Sequence, residues 1–284
     1  MQLKPYQSSL SEVFNTILGL TPKILLALLL LPSFMEPIVS GAARELHFTW
    51  IWPIVVRDLV ASYTICFLWE YVLYQSVLRN KLKKYKMNPV YPSTAQLRHD
   101  QYYTFFCVLC ASAVEVLTVH LYATGRFGEA ATAAFFGTAA ISNLVWVLCT
   151  TYWRLTHFWF VHRMMHPWKT TMIPDIGKLL YKHVHSLHHK SYNPSTWAGL
   201  SMHPVEGIVY FSAAMIPAIL GAAHPYCFLL CKLCLAIDSW VAHDGFGPPS
   251  AGVYFHYLHH AHFDYNYGDM VVPLDYLCGS FLDR

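Results

Sequence analysis

The stretch MHPVEGIVYFSAAMIPAILGAAHPYCFLLCKLCLAIDSWVAHDG, residues 202–245, decides the fold. It contains two apolar runs, Val205–Ala223 and Pro225–Ala242, joined by a turn from Gly221 to Pro225. Each run is close to the length a helix needs to cross a bilayer core. A hairpin of this kind returns to the membrane face it left, so the histidine-bearing segments on either side of it emerge together. Working outward, the same alternation of apolar hairpin and polar, histidine-bearing segment recurs along the chain.

With 55% hydrophobic and 12% charged residues over 284 positions, the chain is not an ordinary soluble domain. The cleanest apolar run is Ala131–Cys149, nineteen residues without a charge, expected to span the membrane and pair with Tyr103–Tyr122 across the loop Ala123–Ala130. Its helix is expected to continue through Trp153 to His166, where Pro167 stops it. Ile54–Leu78 is apolar and aromatic but holds Arg57, Asp58 and Glu70. Ile24–Leu31 is followed closely by Pro32, Glu36 and Pro37 and is read as an interfacial or short membrane segment, without the small-residue site of a cleaved signal peptide. These readings predict an all-α fold: a polytopic membrane bundle of at least four transmembrane helices in hairpins, about 103–151 and 205–242. A cytosolic helical cap, residues 153–203 and 243–284, carries the histidines.

Charge placement supplies an orientation. Arg79, Lys81, Lys83, Lys84 and Lys86 follow the Ile54–Leu78 segment, and Arg154, Arg163, Lys169, Lys178, Lys182 and Lys190 share a second stretch with the first histidines. The positive-inside rule puts both stretches on the cytosolic side and the loop Ala123–Ala130 on the other. No nucleic-acid-binding module accompanies the basic run, which adjoins a membrane span, so nucleic acid is not an expected partner. Six of the eight cysteines, Cys107, Cys110, Cys149, Cys227, Cys231 and Cys234, lie in apolar runs and read as small buried hydrophobes, not as a disulfide framework.

Nine histidines form a spaced pattern. His162-Arg-Met-Met-His166 is H-x3-H, while His185-Ser-Leu-His188-His189 and His256-Tyr-Leu-His259-His260 are both H-x2-H-H, with His243 standing alone. On a helix, positions i, i+3 and i+4 share a face, so each cluster is expected to point its imidazoles one way, the second from a helix near Lys178–His189. Several such clusters can enclose more than one transition-metal ion, and neutral imidazole suits iron, copper, zinc and nickel. His157, His183 and His262 fall off these faces and read as cap, wall or surface residues. His47, His99, His120 and His224 have no companions.

These segments closely resemble the fatty acid hydroxylase/sterol desaturase superfamily of membrane di-iron enzymes. The resemblance runs from about Thr151 to Phe281 and rests on HRMMH at 162–166, LYKHVHSLHH at 180–189, MHPVEGI at 202–208 and FHYLHHAHFDYNYGD at 255–269. The last of these, with AHDG at 242–245 and LDYLCGSF at 274–281, looks most like the sterol C5-desaturase branch. With the hairpin pattern, the resemblance leads us to expect a catalytic domain over 101–284, behind an N-terminal membrane-associated region and basic cytosolic segment over 1–100 that carries no resemblance. It implies two iron ions held by His162, His166, His185, His188, His189, His243, His256, His259 and His260, with dioxygen as co-substrate. It further implies a lipid substrate, sterol or acyl chain, cytochrome b5 or a similar electron donor, and an endoplasmic reticulum membrane with the site facing the cytosol.

Around the ligands, His203 reads either as a further ligand or as a residue behind one. Glu206 and Asp264 are candidates to accept a ligand's second ring N–H. Asn266 could position a metal-bound water or simply serve the turn at Asn-Tyr-Gly. Asp238, at membrane depth, reads as functional or as an ion pair with Lys232, and Glu115 shares that ambiguity without an obvious partner. Within the superfamily, fatty acyl or sphingolipid hydroxylation and sterol 4-methyl oxidation are the alternatives. A zinc-dependent membrane hydrolase is the rival of another class, weakened by the lack of His-Glu-x-x-His and by nine histidines where one zinc needs three. A non-catalytic metal carrier would need ligands through the membrane, not on one face.

Overall fold

The computed structural model describes residues 10–128, 133–169, 173–221, 223–247 and 252–283, with side chains from residue 19 onward, and every long element among them is helical. The main helices are α1 (Leu10–Val39), α2 (Phe48–Glu70), α3 (Arg79–Leu82), α4 (Thr94–Ala123), α5 (Ala140–Leu148) and α6 (Thr150–Met164). After them come α7 (Ile176–His183), α8 (Pro204–Ser212), α9 (Ile216–Gly221), α10 (Pro225–His243), α11 (Gly252–His262) and α12 (Leu274–Leu277). Five stretches are long and apolar enough to cross a membrane: Gly19–Val39, Phe48–Gln75, Thr94–Ala123, Pro204–Gly221 and Pro225–His243. The all-α polytopic architecture expected from the sequence is the one observed.

Two span assignments change. Ile24–Leu31 does not end at its prolines; α1 continues through Pro22, Pro32 and Pro37. Proline is tolerated in a membrane helix because neighbouring helices re-satisfy the freed backbone groups, and Leu25, Leu28 and Leu29 face outward where lipid would lie. The uncharged run Ala131–Cys149 is not one long helix. Residues 133–139 form turns, α5 occupies only Ala140–Leu148, and a break at Cys149 leads directly into α6. Hydrophobicity selected this run, but Gly137 and the small residues around it favour turns over helix propagation. The helix does reach the first histidines, ending at Met164 before Pro167.

α10 is the centre of the bundle. It packs against α1, where Phe34 and Phe228 meet with ring centroids 5.6 Å apart, and Leu229, Leu230 and Leu235 are almost wholly buried along it. The short turn Ala198–Leu200 also lies on α10. A Cβ on Gly199 would stand 2.3 Å from the Ser239 carbonyl oxygen, so only glycine permits this approach, and Ser239 Oγ donates back to the Gly199 carbonyl at 2.6 Å.

Charges inside the bundle are paired, as a low-dielectric interior demands. Arg57 of α2 donates to Asp58 and, at 2.6 and 2.7 Å, to Glu115 of α4. Lys232 of α10 donates to Asp58 at 2.5 Å and to Glu115. Two cations and two carboxylates therefore tie three membrane helices together and give Glu115 its partners. Lys232 is engaged here and not with Asp238.

The topology follows from α4. Its first turns hold the histidine segment, with Gln96 donating to the Asn193 carbonyl and Ser191 donating to Asp100, while its far end carries the loop at 124–128. A helix of 30 residues is about 45 Å long, enough to put those two ends on opposite membrane faces. In a background with the exposed Cys149 and Cys278 replaced by serine, we expect Lys190→Cys and Arg126→Cys to be labelled from opposite sides of sealed microsomes. Labelling of both from one side would overturn this arrangement.

Candidate metal centre

The residues that build the site arrive on four segments. α6 brings His162, and His166 follows its C-terminus. Asp175 then clips the chain, accepting from the backbone N–H of Trp168 and Lys169 while capping α7 through Lys178 N. Gly177 allows α7 to lie against the His166 carbonyl, where a Cβ would stand at 2.1 Å.

The second cluster is not α-helical, contrary to its reading as part of a helix near 178–189. α7 ends at His183, Val184 breaks the geometry, and His185–Lys190 is a 3₁₀ helix. The rings of His185 and His188 are stacked 5.5 Å apart, as are those of His256 and His259 at the same spacing in α11. His243 ends α10, and α11 carries His256, His259 and His260.

These nine residues meet as two buried groups. One holds His162, His166, His185, His189 and His259; the other holds His188, His243, His256 and His260, with one nitrogen of each within 4.8 Å of the others in its group. His162 and His166 join one group, as their spacing led us to expect, but the other two clusters do not point one way each. In both H-x2-H-H motifs the first and last imidazoles join one group and the middle one joins the other.

Hydrogen bonds settle which nitrogen is available. His162 Nδ1 lies 2.5 Å from the Tyr267 carbonyl, His259 Nδ1 2.6 Å from that of Tyr265, His188 Nδ1 3.2 Å from that of Ser201 and His243 Nδ1 2.7 Å from that of Ser239. His185 Nδ1 lies 2.7 Å from Glu206 Oε1. The four carbonyl oxygens can only accept, and Glu206 accepts as a carboxylate, so each Nδ1 carries the hydrogen and each Nε2 presents a lone pair. Such lone pairs face each other at 2.9 Å between His162 and His185, and at 3.2 Å between His188 and His243. Two bare acceptors at these distances repel unless a cation lies between them. Burial pushes His185, His188 and His259 down to about 3, so they are neutral near pH 7, the state in which imidazole ligates. The donor set fits transition-metal ions in both groups.

The remaining sequence candidates separate. Glu206 takes the position expected of a carboxylate behind a ligand. His203 belongs to neither group; it caps α8 by accepting from Val205 N at 3.2 Å, and so steadies the helix that carries Glu206. Asp264 is half exposed and pairs with Lys169, leaving the His259 position to the Tyr265 carbonyl. Asn266 has φ +57 and spends its amide on the backbone of Phe255 and Leu282, which is the turn role. Asp238 bonds to Lys23 and Arg154. His183 and His262 are exposed, and His47 and His224 cap helices.

The backbone carbonyls were beyond a sequence reading, because any residue type supplies one. Asp275, also unanticipated, orders the Tyr267 loop by accepting from the N–H groups of Tyr267 and Gly268 at 2.9 and 2.7 Å. A cavity of about 520 Å³ opens onto His162 and His185 of one group and His188, His243 and His256 of the other. Leu155, Phe158, Met202 and Leu235 give it apolar walls.

Comparison with known proteins agrees with the resemblance carried by the motifs. Residues 144–280 match the fatty acid hydroxylase family. Lathosterol oxidase of Rattus norvegicus is 31% identical over 132 residues, 43% of this chain and 40% of its own. The Delta(7)-sterol 5(6)-desaturase of Leptosphaeria maculans is 29% identical over 134 residues, 43% of this chain and 33% of its own. The Delta(7)-sterol-C5(6)-desaturase of Nicotiana tabacum is 30% identical over 122 residues, 41% and 45%. The chain thus spans less than half the length of each of these three relatives. No solved structure matches it.

Protein loaded anaerobically with Fe(II) is expected to bind about two ions per chain. His259→Ala and His188→Ala should each weaken a different ion, with the helical circular dichroism unchanged. Glu206→Gln should lower affinity at the five-histidine group by about 10–100-fold, since it releases the orientation of His185. One ion per chain in the unmodified protein would reject the two-group site.

Proposed function

We propose that the protein is a membrane-bound, O2-dependent oxidoreductase that desaturates a sterol, acting at the C5 position of a Δ7-sterol. The observation that carries this reading is the opening of both histidine groups onto one apolar cavity. Five of the nine imidazoles, from both groups, line the space where a lipid, and not water, would lie. The match to the fatty acid hydroxylase family and the sterol desaturase relatives support it.

In this reading the unit over 101–284 is the catalytic domain, and each histidine group holds one iron ion. The two ions supply dioxygen activation and hydrogen removal from an unactivated C–H bond. The protein's part is to fix the ligands and exclude water. Tyr265, Tyr267, Ser201, Ser239 and Glu206 keep the hydrogens on Nδ1, so that every oriented ring offers Nε2 to the metal. Leu155, Phe158, Met202 and Leu235 keep the space dry and seat a hydrocarbon skeleton. Entry from the bilayer lets such a substrate reach the site without crossing water.

The balance of the reaction sets the partner. Removing two hydrogens from the substrate supplies two electrons and two protons, whereas reducing one dioxygen to two waters consumes four of each. Two further electrons must arrive from a one-electron carrier, for which cytochrome b5 is proposed. Lys178, Lys182 and Lys190 are exposed beside the second cluster and suit an acidic carrier docking from the cytosol. The corresponding location is the endoplasmic reticulum membrane, with the histidine face cytosolic.

Purified protein supplied with Fe(II), oxygen, reductant, cytochrome b5 and a Δ7-sterol should form the conjugated 5,7-diene, read by its ultraviolet absorption and by mass spectrometry. Omitting oxygen or the carrier should stop it. Product formation indifferent to both omissions would point to the zinc hydrolase class instead. Oxygen-dependent turnover of acyl or sphingoid lipids alone would reject the sterol assignment.

A further inference from the structure

The apolar cavity ends on charge. Asp238 of α10, Arg154 of α6 and Lys23 of α1 all line it, and the Asp238 carboxylate accepts from both cations. The triad differs from the Arg57–Asp58–Glu115–Lys232 network, no member of which lines the cavity and whose Glu115 side chain is wholly buried. Here the carboxylate keeps 29% of its side chain accessible, while the Arg154 side chain is only 8% accessible. Arg154 Nε is buried and has no hydrogen-bond partner among the described residues. A half-open acceptor therefore lines the cavity beside an orphaned donor, with Asp269 on the same wall and hydrocarbon from Leu155, Phe158, Met202 and Leu235 around the space. A buried donor left unpaired is costly, and a ligand atom that satisfies it recovers that cost.

We propose that this triad anchors the free hydroxyl group of the lipid substrate, the O–H donating to Asp238 and its oxygen accepting from Arg154 Nε–H. The proposal rests on the lipid-oxidation reading above and specifies which end of the lipid is held. Only a group that both donates and accepts completes the pair. A carboxylate or phosphate would bring a second negative charge beside Asp238 and has no hydrogen to give it. An ester or ether oxygen can accept but cannot donate. Lys23 donates to Asp238 from the α1 side of the cavity.

The register of the helices sets the reach. Asp238 precedes His243 by five residues on α10, an axial separation of about 7.5 Å, and Arg154 precedes His162 by eight on α6, about 12 Å. A lipid held by its hydroxyl at the triad presents carbons on the order of 10 Å away, or nearer, to the histidine groups. The oxidised carbon then belongs to the ring system that bears the hydroxyl and not to the far end of an alkyl chain.

Binding to the metal-free, full-length protein in detergent tests the anchor separately from turnover. Tritiated Δ7-sterol would be displaced by the unlabelled sterol, by its 3-methyl ether and by its 3-deoxy analogue. The free alcohol should compete at least about tenfold better than either analogue, the effect of losing a hydrogen bond to a charged group. Asp238→Asn and Arg154→Gln should erase that preference while leaving deoxy-analogue binding in place, which also reports that the variants are folded. Equal competition by all three sterols in the unmodified protein would overturn the anchor, even if turnover proceeds as proposed. A hydroxyl preference without any oxygen-dependent turnover would uphold the anchor and sink the desaturase reading.

Discussion

Nine imidazoles buried in a helical bundle are a problem of electrostatic repulsion, and much of the structure serves to pose it in a form that cations solve. An isolated imidazole can turn its hydrogen toward a neighbour. Here that freedom is removed at His162, His185, His188, His243 and His259, whose Nδ1–H groups are committed to oxygens that only accept. The Nε2 lone pairs that remain are aimed inward at one another. Desolvation opposes relief of the crowding by protonation, because apart from His185, which faces Glu206, these imidazoles would be buried as cations without a counter-ion. The arrangement fits metal in both groups, and it is preorganised for one, since at five of the nine rings the tautomer is chosen beforehand.

The rest of the fold can be understood as support for that constraint. The carbonyls that hold the imidazoles come from segments that must themselves be immobile. Ser239 lies on α10, locked to Gly199 by a contact that excludes any side chain. Tyr267 lies in a loop ordered by Asp275, and Ser201 follows the same Gly199 turn. α10 is held in turn by the four-charge network that ties it to α2 and α4. Paired charge at membrane depth is seldom a net gain in stability over well-packed hydrophobes, but it specifies which helix faces which. In a bundle whose hydrophobic surfaces are interchangeable, that specificity keeps the histidines in register.

Charge inside the bundle comes in two kinds, and the difference is geometric. Arg57, Asp58, Glu115 and Lys232 balance one another and have no cavity to face. Lys23, Arg154 and Asp238 meet at the wall of the cavity, and their hydrogen-bonding capacity is not exhausted by each other. The N-terminal helix contributes Lys23 to that wall together with Gly19 and Leu20, so a segment with no motif of its own shapes the space in which the histidines work.

What the sequence determined by itself was which histidines come together and the helical class that carries them. Three spaced clusters and a lone His243 named all nine residues that converge, because the spacing of such clusters is a local property legible in the order of side chains. The polytopic helical class was likewise legible, since backbone groups in a bilayer must be satisfied within helices. Hydrophobicity alone was a poorer guide to element boundaries. It placed a span at Ala131–Cys149, where local turns intervene, and cut α1 short at prolines that surrounding helices accommodate. Only the tertiary structure decided how the nine histidines divide into five and four, because the 3₁₀ motif at His185–Lys190 and the α-helical one in α11 each give imidazoles to both groups, and which group depends on how the segments meet. It also decided that His203 caps a helix, that Asp264 faces outward, and that Asp238 meets Lys23 across more than two hundred residues of chain. Those outcomes rest on backbone carbonyls and long-range pairing, and neither leaves a mark in the order of side chains.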